Sequence, residues 1–249
     1  MQRIVFLAGP SCVGKRPLVR IMRMFYPELM ANFKQLVLFN DRTPSPGEEE
    51  GVDSFFRPRG EIEALRGKDG FIVADVRGDL QALEVAQIQR IFAAGQIPFF
   101  EGNPFVPGKL REAGLFEQFP TVSVFLSPLS REEILYLKSV PFGVDLNKFV
   151  SEVQRRKLLH RVMRQKSHLS LRDLEDIEKR SANALTEMRE AWKFDHVIHL
   201  HDGEGHDNWD ANYYPIGSAR KAMLALASVL RNDSPLTGID DPWTEDLIL

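Results

Sequence analysis

The sequence predicts an α/β fold, a mostly parallel β-sheet with helices on both faces. Apolar runs of strand length recur along the chain, and segments of helical length separate them. A Gly-x-x-x-x-Gly-Lys run, Gly9-Pro10-Ser11-Cys12-Val13-Gly14-Lys15, stands between the first strand and the first helix. In sheets of this kind ligands sit beyond the carboxyl ends of the strands, so the residues just after each strand carry the functional signal.

Strands are expected at residues 3–8, 35–39, 71–76, 97–101, 122–126 and 196–200, each a short apolar run bounded by turn residues. The first, Ile4-Val5-Phe6-Leu7-Ala8, is too short for a signal-peptide core or a membrane span and reads as a buried strand. Helices are expected at residues 15–25, 79–94, 131–137, 146–165, 171–193 and 217–230. Residues 41–70 are rich in Pro, Gly and charge and too long for a routine connection; they read as a functional insertion over the sheet edge. Residues 141–170 are helical and basic, with seven Lys or Arg against the single acid Glu152 between 148 and 166. From Asn232 onward, two prolines and five acids mark a surface-hugging or flexible tail, residues 232–249.

The 249 residues, 43% hydrophobic and 27% charged, suit one large α/β domain with inserted subdomains or two small domains, and argue against general disorder. A net charge of −3 removes the case for non-specific nucleic-acid binding by the chain as a whole. The single cysteine, Cys12, forms no internal disulfide, which fits a reducing compartment. A cytoplasmic protein with neither nucleic-acid nor membrane partners is the expectation.

The loop at residues 9–15 has a mechanical reading. Its glycines let backbone N–H groups converge on phosphate oxygens, the helix N-terminus adds positive potential, and Lys15 reaches the β- and γ-phosphates of a nucleotide. Gly9, Ser11, Cys12, Val13, Gly14, Lys15 and Arg16 are the candidate phosphate-binding residues. The position after Lys15 calls for a hydroxyl that ligates Mg²⁺, but Arg16 stands there, followed by Pro17. Three roles stay open: Mg²⁺ held through waters and a carboxylate elsewhere, Arg16 neutralising phosphate, or binding without turnover. No metal ligand is assigned. Cys12 lies near a helix N-terminus and Lys15, conditions that lower a thiol pKa.

The loop run Gly9 to Leu18 resembles the opening of guanylate kinases. Residues 40–56, Asn-Asp-Arg-Thr-Pro-Ser-Pro-Gly-Glu-Glu-Glu-Gly-Val-Asp-Ser-Phe-Phe, are similar to that family's monophosphate-gripping motif, matching at Arg42, Pro44, Gly47, Glu48, Gly51, Asp53 and Phe56. Residues 125–130 resemble its strand ending in Pro-Pro-Ser, residues 177–184 with Glu187 its post-lid helix, and residues 194–198 its last strand. The resemblance covers roughly residues 1–205. It implies a P-loop nucleoside-monophosphate-kinase-like fold over residues 1–231: a core of 1–40, 71–140 and 171–231, an acceptor-binding insertion at 41–70 and a basic lid at 141–170. The motif's second arginine is Ser45 here and its phosphate-binding tyrosine is Ser54. Asp75 is the candidate for the acid that reads the guanine edge, Glu101 replaces the Asp after the middle strand, and Leu200 replaces an asparagine near the adenine.

What the resemblance implies is a nucleotide-binding transferase, a kinase moving the γ-phosphate of ATP to GMP or a related phosphorylated acceptor. Lys15 and the loop would hold ATP, with Arg42 as the bidentate anchor of the acceptor phosphate beside Glu48, Asp53, Asp75 and Glu101. Turn capping explains Glu48 and Asp53 equally well. Arg156, Arg161 and Arg180 are the candidate catalytic lid arginines, against a basic face that is merely solvated. The stretch His199 to His206 carries metal-ligand residue types, but neighbours in a strand point to opposite faces and capping explains it more simply. The competing reading is a catalytically impaired module that binds a nucleotide or phosphorylated ligand.

Overall fold

A computed structural model describes residues 3–44, 48–140, 143–232 and 242–248. Ser45 and Gly47 of the monophosphate motif, the start of the basic segment at Pro141 and Phe142, and most of the tail lie outside the described residues.

In chain order, β1 (Ile4–Ala8), α1 (Lys15–Phe25), α2 (Pro27–Met30), β2 (Phe33–Gln35), β3 (Leu38–Asn40), β4 (Ser54–Phe56), α3 (Arg59–Glu63), β5 (Phe71–Val76) and β6 (Asp79–Glu84) come first. They are followed by α4 (Val85–Ala93), β7 (Ile97–Gly102), α5 (Phe105–Glu112), α6 (Leu115–Gln118), β8 (Thr121–Ser127) and α7 (Arg131–Ser139). The rest comprises α8 (Leu146–Gln165), α9 (Leu171–Ala182), α10 (Ala184–Met188), β9 (His196–His199) and α11 (Gly217–Arg231). The main sheet has the order β2-β7-β1-β8-β9, with parallel pairing of β2 to β7 and of β8 to β9. This is the α/β architecture with a parallel sheet that the alternation of elements predicts.

The chain groups into two compact units. The first comprises residues 1–6 and 32–122. Its core joins Ile4, Phe6, Leu36, Ile88, Phe100 and Leu110, and it carries a second sheet ordered β4-β3-β6-β5. Two sequence expectations fail here. Residues 79–94 are not one helix: β6 folds back on β5 as a hairpin, with Val76 opposite Asp79. The two turn residues Arg77 and Gly78 both have positive φ, 55° and 88°, the geometry that matches the twist of paired strands. The run at 35–39 is not one strand either. The chain leaves the main sheet after β2 and enters the second at β3, and the Gln87 side chain bonds both polar groups of Val37 at the crossing, at 2.7 and 3.0 Å. Residues 41–70 supply β4 to this second sheet and also form the helix α3.

The second unit comprises residues 7–31 and 123–249. Phe125, Ile134, Val150, Leu185, Met188 and Trp243 form one core, and Cys12, Leu158, Val162 and Ile177 form another. Ser130 with Glu133 and Ser170 with Asp173 make reciprocal caps that start α7 and α9. The helix expected over 171–193 is interrupted at Asn183, which separates α9 from α10. Among the described residues, no helix is long and apolar enough to cross a membrane.

Candidate functional site: a phosphate loop under a basic helix

β1 ends at Ala8 and the chain turns through residues 9–14 into α1. Gly9 (φ 152°) and Gly14 (φ 114°) hold conformations that side chains resist, and a Cβ on Gly9 would lie 2.5 Å from the Leu126 carbonyl oxygen. A Cβ on Gly14 would meet Leu200 Cδ2 at 2.7 Å and both the Asp202 carbonyl oxygen and Trp209 Cζ2 at 2.9 Å. Cys12 keeps φ 62° without being a glycine, the kind of backbone strain that gathers at binding sites.

Lys15 opens α1 and is 8% exposed. Its Nζ donates to the carbonyls of Gly9 at 2.9 Å and Pro10 at 2.8 Å, so the ammonium lies over the loop. The first-turn amides of α1 have no acceptor within the helix and carry its positive partial charge. Pro17 falls in that turn, where its missing N–H breaks no helical bond. Arg16 is exposed, and a guanidinium only donates hydrogen bonds, so it cannot ligate a cation.

The basic helix α8 packs against the loop. Cys12 Sγ donates to the Lys157 carbonyl at 3.3 Å, and Lys157 Nζ donates to the Leu200 carbonyl at 3.2 Å. Burial pushes the Lys157 ammonium down to about 8. Arg161 pairs with Glu204 at 2.8 Å, both largely buried, and Arg164 with Asp207 at 2.5 Å. Arg155 grips Glu178 of α9 at 2.7 Å through two bonds and also pairs with Glu152. Arg156 pairs with Glu152 along its own helix at 3.0 Å and is 77% exposed, while Arg180 pairs with Asp176 at 2.8 Å. The basic run is therefore laced with ion pairs rather than simply solvated.

The segment after β9 closes over the loop. The Asp202 carboxylate is 7% exposed, accepts from Ala219 N of α11 at 2.7 Å and takes the Asn208 amide at 3.1 Å. Buried Trp209 donates its indole N–H to Gly203 O at 2.8 Å. His201 pairs with Glu133 at 2.9 Å and His206 accepts from Asn208 N, a capping role. Among the described residues, no three His, Cys, Asp or Glu converge as a metal site.

One expectation is corrected outright. The Cys12 thiol is pushed up to about 11, because burial and the nearby Glu204 carboxylate outweigh Arg161 and Lys157.

The acceptor candidates lie in the first unit. Arg42 forks onto Glu48 through two bonds of 2.7 and 2.6 Å, with its guanidinium 5.6 Å from the Phe56 ring. Asp53 accepts from Glu49 N at 2.9 Å, a turn-capping bond. Ser54 is buried in β4. Asp75, 60% exposed, pairs with Arg66 at 3.3 Å, and Glu101 is half-buried near the end of β7. Asp202 falls in the stretch His199 to His206 that the sequence reads as capping, and its bonds to Ala219 N and Asn208 are of that kind. Trp209 carried no signal, since a buried indole is recognisable only by what it touches.

No family model matches the chain. It is 34% identical over 134 residues to the guanylate kinase of Synechococcus sp. (strain JA-3-3Ab), covering 53% of this chain and 58% of that protein. The guanylate kinase of Nocardia farcinica is 34% identical over 140 residues, 53% of this chain and 66% of its own length. That of Corynebacterium jeikeium is 32% identical over 136 residues, 53% of this chain and 68% of its own length. The match thus spans about three fifths to two thirds of these curated relatives. The crystal structure of guanylate kinase from Anaplasma phagocytophilum superposes with a TM-score of 0.53 at 18% identity, covering 96% of this chain and 89% of that one, and shares its fold.

Proposed function

The chain belongs to the guanylate kinase family, and on that premise we propose that it transfers the γ-phosphate of ATP to GMP or a related phosphorylated acceptor. One observation carries the proposal. Lys15 lies over a loop whose two glycines leave no room for a side chain, the arrangement that brings backbone amides and an ammonium to a polyphosphate. ATP fits such a cradle, with Gly9 to Gly14 following the phosphates and Lys15 neutralising the charge that develops as the γ-phosphoryl leaves.

On the acceptor side, Arg42 is the group whose planar fork matches a phosphate, and it would exchange Glu48 for the monophosphate. Arg161 and Arg180 are the proposed lid cations. Arg156 is retained as a third, reaching the nucleotide only by leaving Glu152. The domain limits expected from the sequence, with an acceptor segment at 41–70 and a lid at 141–170, belong to the same proposal, as does a cytoplasmic location.

The family implies Mg²⁺, but Arg16 does not fit as its ligand and no step is routed through the metal. That misfit, together with the engagement of Arg42 by Glu48, favours a second reading: a module that binds nucleotide without turning it over.

A coupled assay of ADP release with ATP, Mg²⁺ and a panel of nucleoside monophosphates separates the two. Turnover with one monophosphate, abolished in Lys15→Ala, supports the kinase. ATP binding that Lys15→Ala abolishes, with no turnover on any acceptor, refutes it and leaves the module.

A further inference from the structure

The segment 203–209 lies outside the loop of the donor reading, yet it is held tightly against it. Its backbone enters a narrow space between the loop and α8. A Cβ on Gly203 would lie 3.1 Å from both the Cys12 carbonyl oxygen and Lys157 Cβ, and one on Gly205 would lie 3.1 Å from His160 Nδ1 and 3.2 Å from Arg161 Cα. Between those glycines, Glu204 donates its amide to Cys12 O at 3.3 Å and places its carboxylate on Arg161 at 2.8 Å, with the carboxylate side chain 12% exposed. Trp209 braces the segment from behind, bonded to Gly203 O and lodged against Gly14.

Buried carboxyls ordinarily resist ionisation. Glu204 is held below the usual carboxylate range all the same, because Arg161, Lys15 and Arg16 offset the cost of burial. Those are the cations that the donor reading assigns to the phosphates. An anion of the protein's own already pairs with one of them, Arg161, at 2.8 Å.

We propose that Glu204 is a resident competitor for the donor phosphates, its carboxylate neutralising the loop's cations until a nucleotide polyphosphate expels it. The inference rests on the donor-loop reading and adds regulation of that site: affinity is set by the exchange of one internal anion for an external one. The glycines on either side give the segment the slim backbone needed to enter the space. The Arg161 pair makes the same residue a latch between the lid helix and the loop.

The test is calorimetric titration of inorganic tripolyphosphate and of ATP, with and without Mg²⁺, into the wild-type chain, Glu204→Gln and Lys15→Ala. Glu204→Gln keeps the side chain's shape and removes its charge. It should bind tripolyphosphate about tenfold more tightly, equivalent to about 1.4 kcal/mol, with or without Mg²⁺, and the gain should shrink at high salt. Unchanged or weaker binding overturns the proposal; weaker binding confined to Mg²⁺ would make Glu204 a metal ligand instead. Lys15→Ala separates the two levels. If it does not weaken wild-type binding, the donor-loop reading fails and this proposal with it; if it does while Glu204→Gln binds no tighter, only this proposal falls.

A measurement on the wild-type chain stands apart from the folding of any variant. Hydrogen–deuterium exchange across residues 203–209 should quicken when tripolyphosphate is added, as the Glu204 amide leaves Cys12 O. Unchanged or slower exchange overturns the expulsion.

Discussion

Gly14 closes the loop between β1 and α1 with φ 114°, and a methyl group placed there would sit 2.7 Å from Leu200 Cδ2 and 2.9 Å from both the Asp202 carbonyl oxygen and Trp209 Cζ2. Leu200 is fully buried, the Asp202 oxygen is backbone, and Trp209 is 3% exposed, so none of the three can swing into solvent. Gly14→Ala therefore carries two costs: backbone strain of about 1–3 kcal/mol and overpacking of about 1–3 kcal/mol. A total near 4 kcal/mol corresponds to a fall in melting temperature of about 8–16 °C at this chain length. Gly143 provides the control within the same unit, since its φ is 59° and nothing lies within 4 Å of its Cβ position. Gly143→Ala should cost only the left-handed backbone term, about 1–2 kcal/mol, or roughly 2–8 °C. The assay is thermal denaturation of both variants, followed by ATP titration at a temperature where each is folded. Gly14→Ala should also lose ATP affinity by at least about tenfold, and Gly143→Ala should not. Equal melting shifts would refute the claim that close packing around Gly14 dictates glycine there.

Lys157 supplies a pH test. Burial lowers its pKa in the folded chain to about 8 from the ordinary lysine value of 10.5, so between those values the unfolded chain binds more protons and stability rises with pH; below about 8 the full penalty is present. The upper bound on that penalty is about 3 kcal/mol. Urea unfolding at pH 7 and pH 9.5 should show the rise in the wild-type chain and a flatter response in Lys157→Met; parallel curves would contradict it. Asp202→Ala removes the acceptor of Ala219 N and of the Asn208 amide, and should destabilise by about 2 kcal/mol, at the upper end of a helix-cap loss; a change under about 0.5 kcal/mol would argue against the cap. Arg42→Gln should raise the KM for the monophosphate by at least about tenfold while leaving the KM for ATP within about twofold; a matching rise for ATP would remove Arg42 from the acceptor side.

Legibility followed the range of the interactions. The turn of Arg77 and Gly78 shows where local reading failed: its positive φ values match a hairpin, but the pair lacks the Asn-Gly or Asp-Gly signature, so β6 and α4 read as one helix. The crossing at Val37 left no trace either, since the Gln87 side chain that completes its hydrogen bonds is fifty residues away. The arginines of α8 were visible as a basic run, but their partners Glu178, Glu204 and Asp207 come from other elements, and that choice separates Arg161 beside the loop from the exposed Arg156.

By itself the sequence determined the strand–loop–helix around Gly9 to Lys15, α8 to the residue, and the family. These depend on backbone freedom, helical period and residue types within a few positions of one another. Only the tertiary structure decided the charge state of the loop's surroundings. It buried Cys12 and pushed its thiol up rather than down, desolvated Lys157, and set the Glu204 carboxylate on Arg161 beside the loop. Those outcomes depend on what α8 and residues 200–209 bring to the loop from about 150 to 200 residues away in the chain, where desolvation and Coulomb forces act through space and leave no local pattern to read.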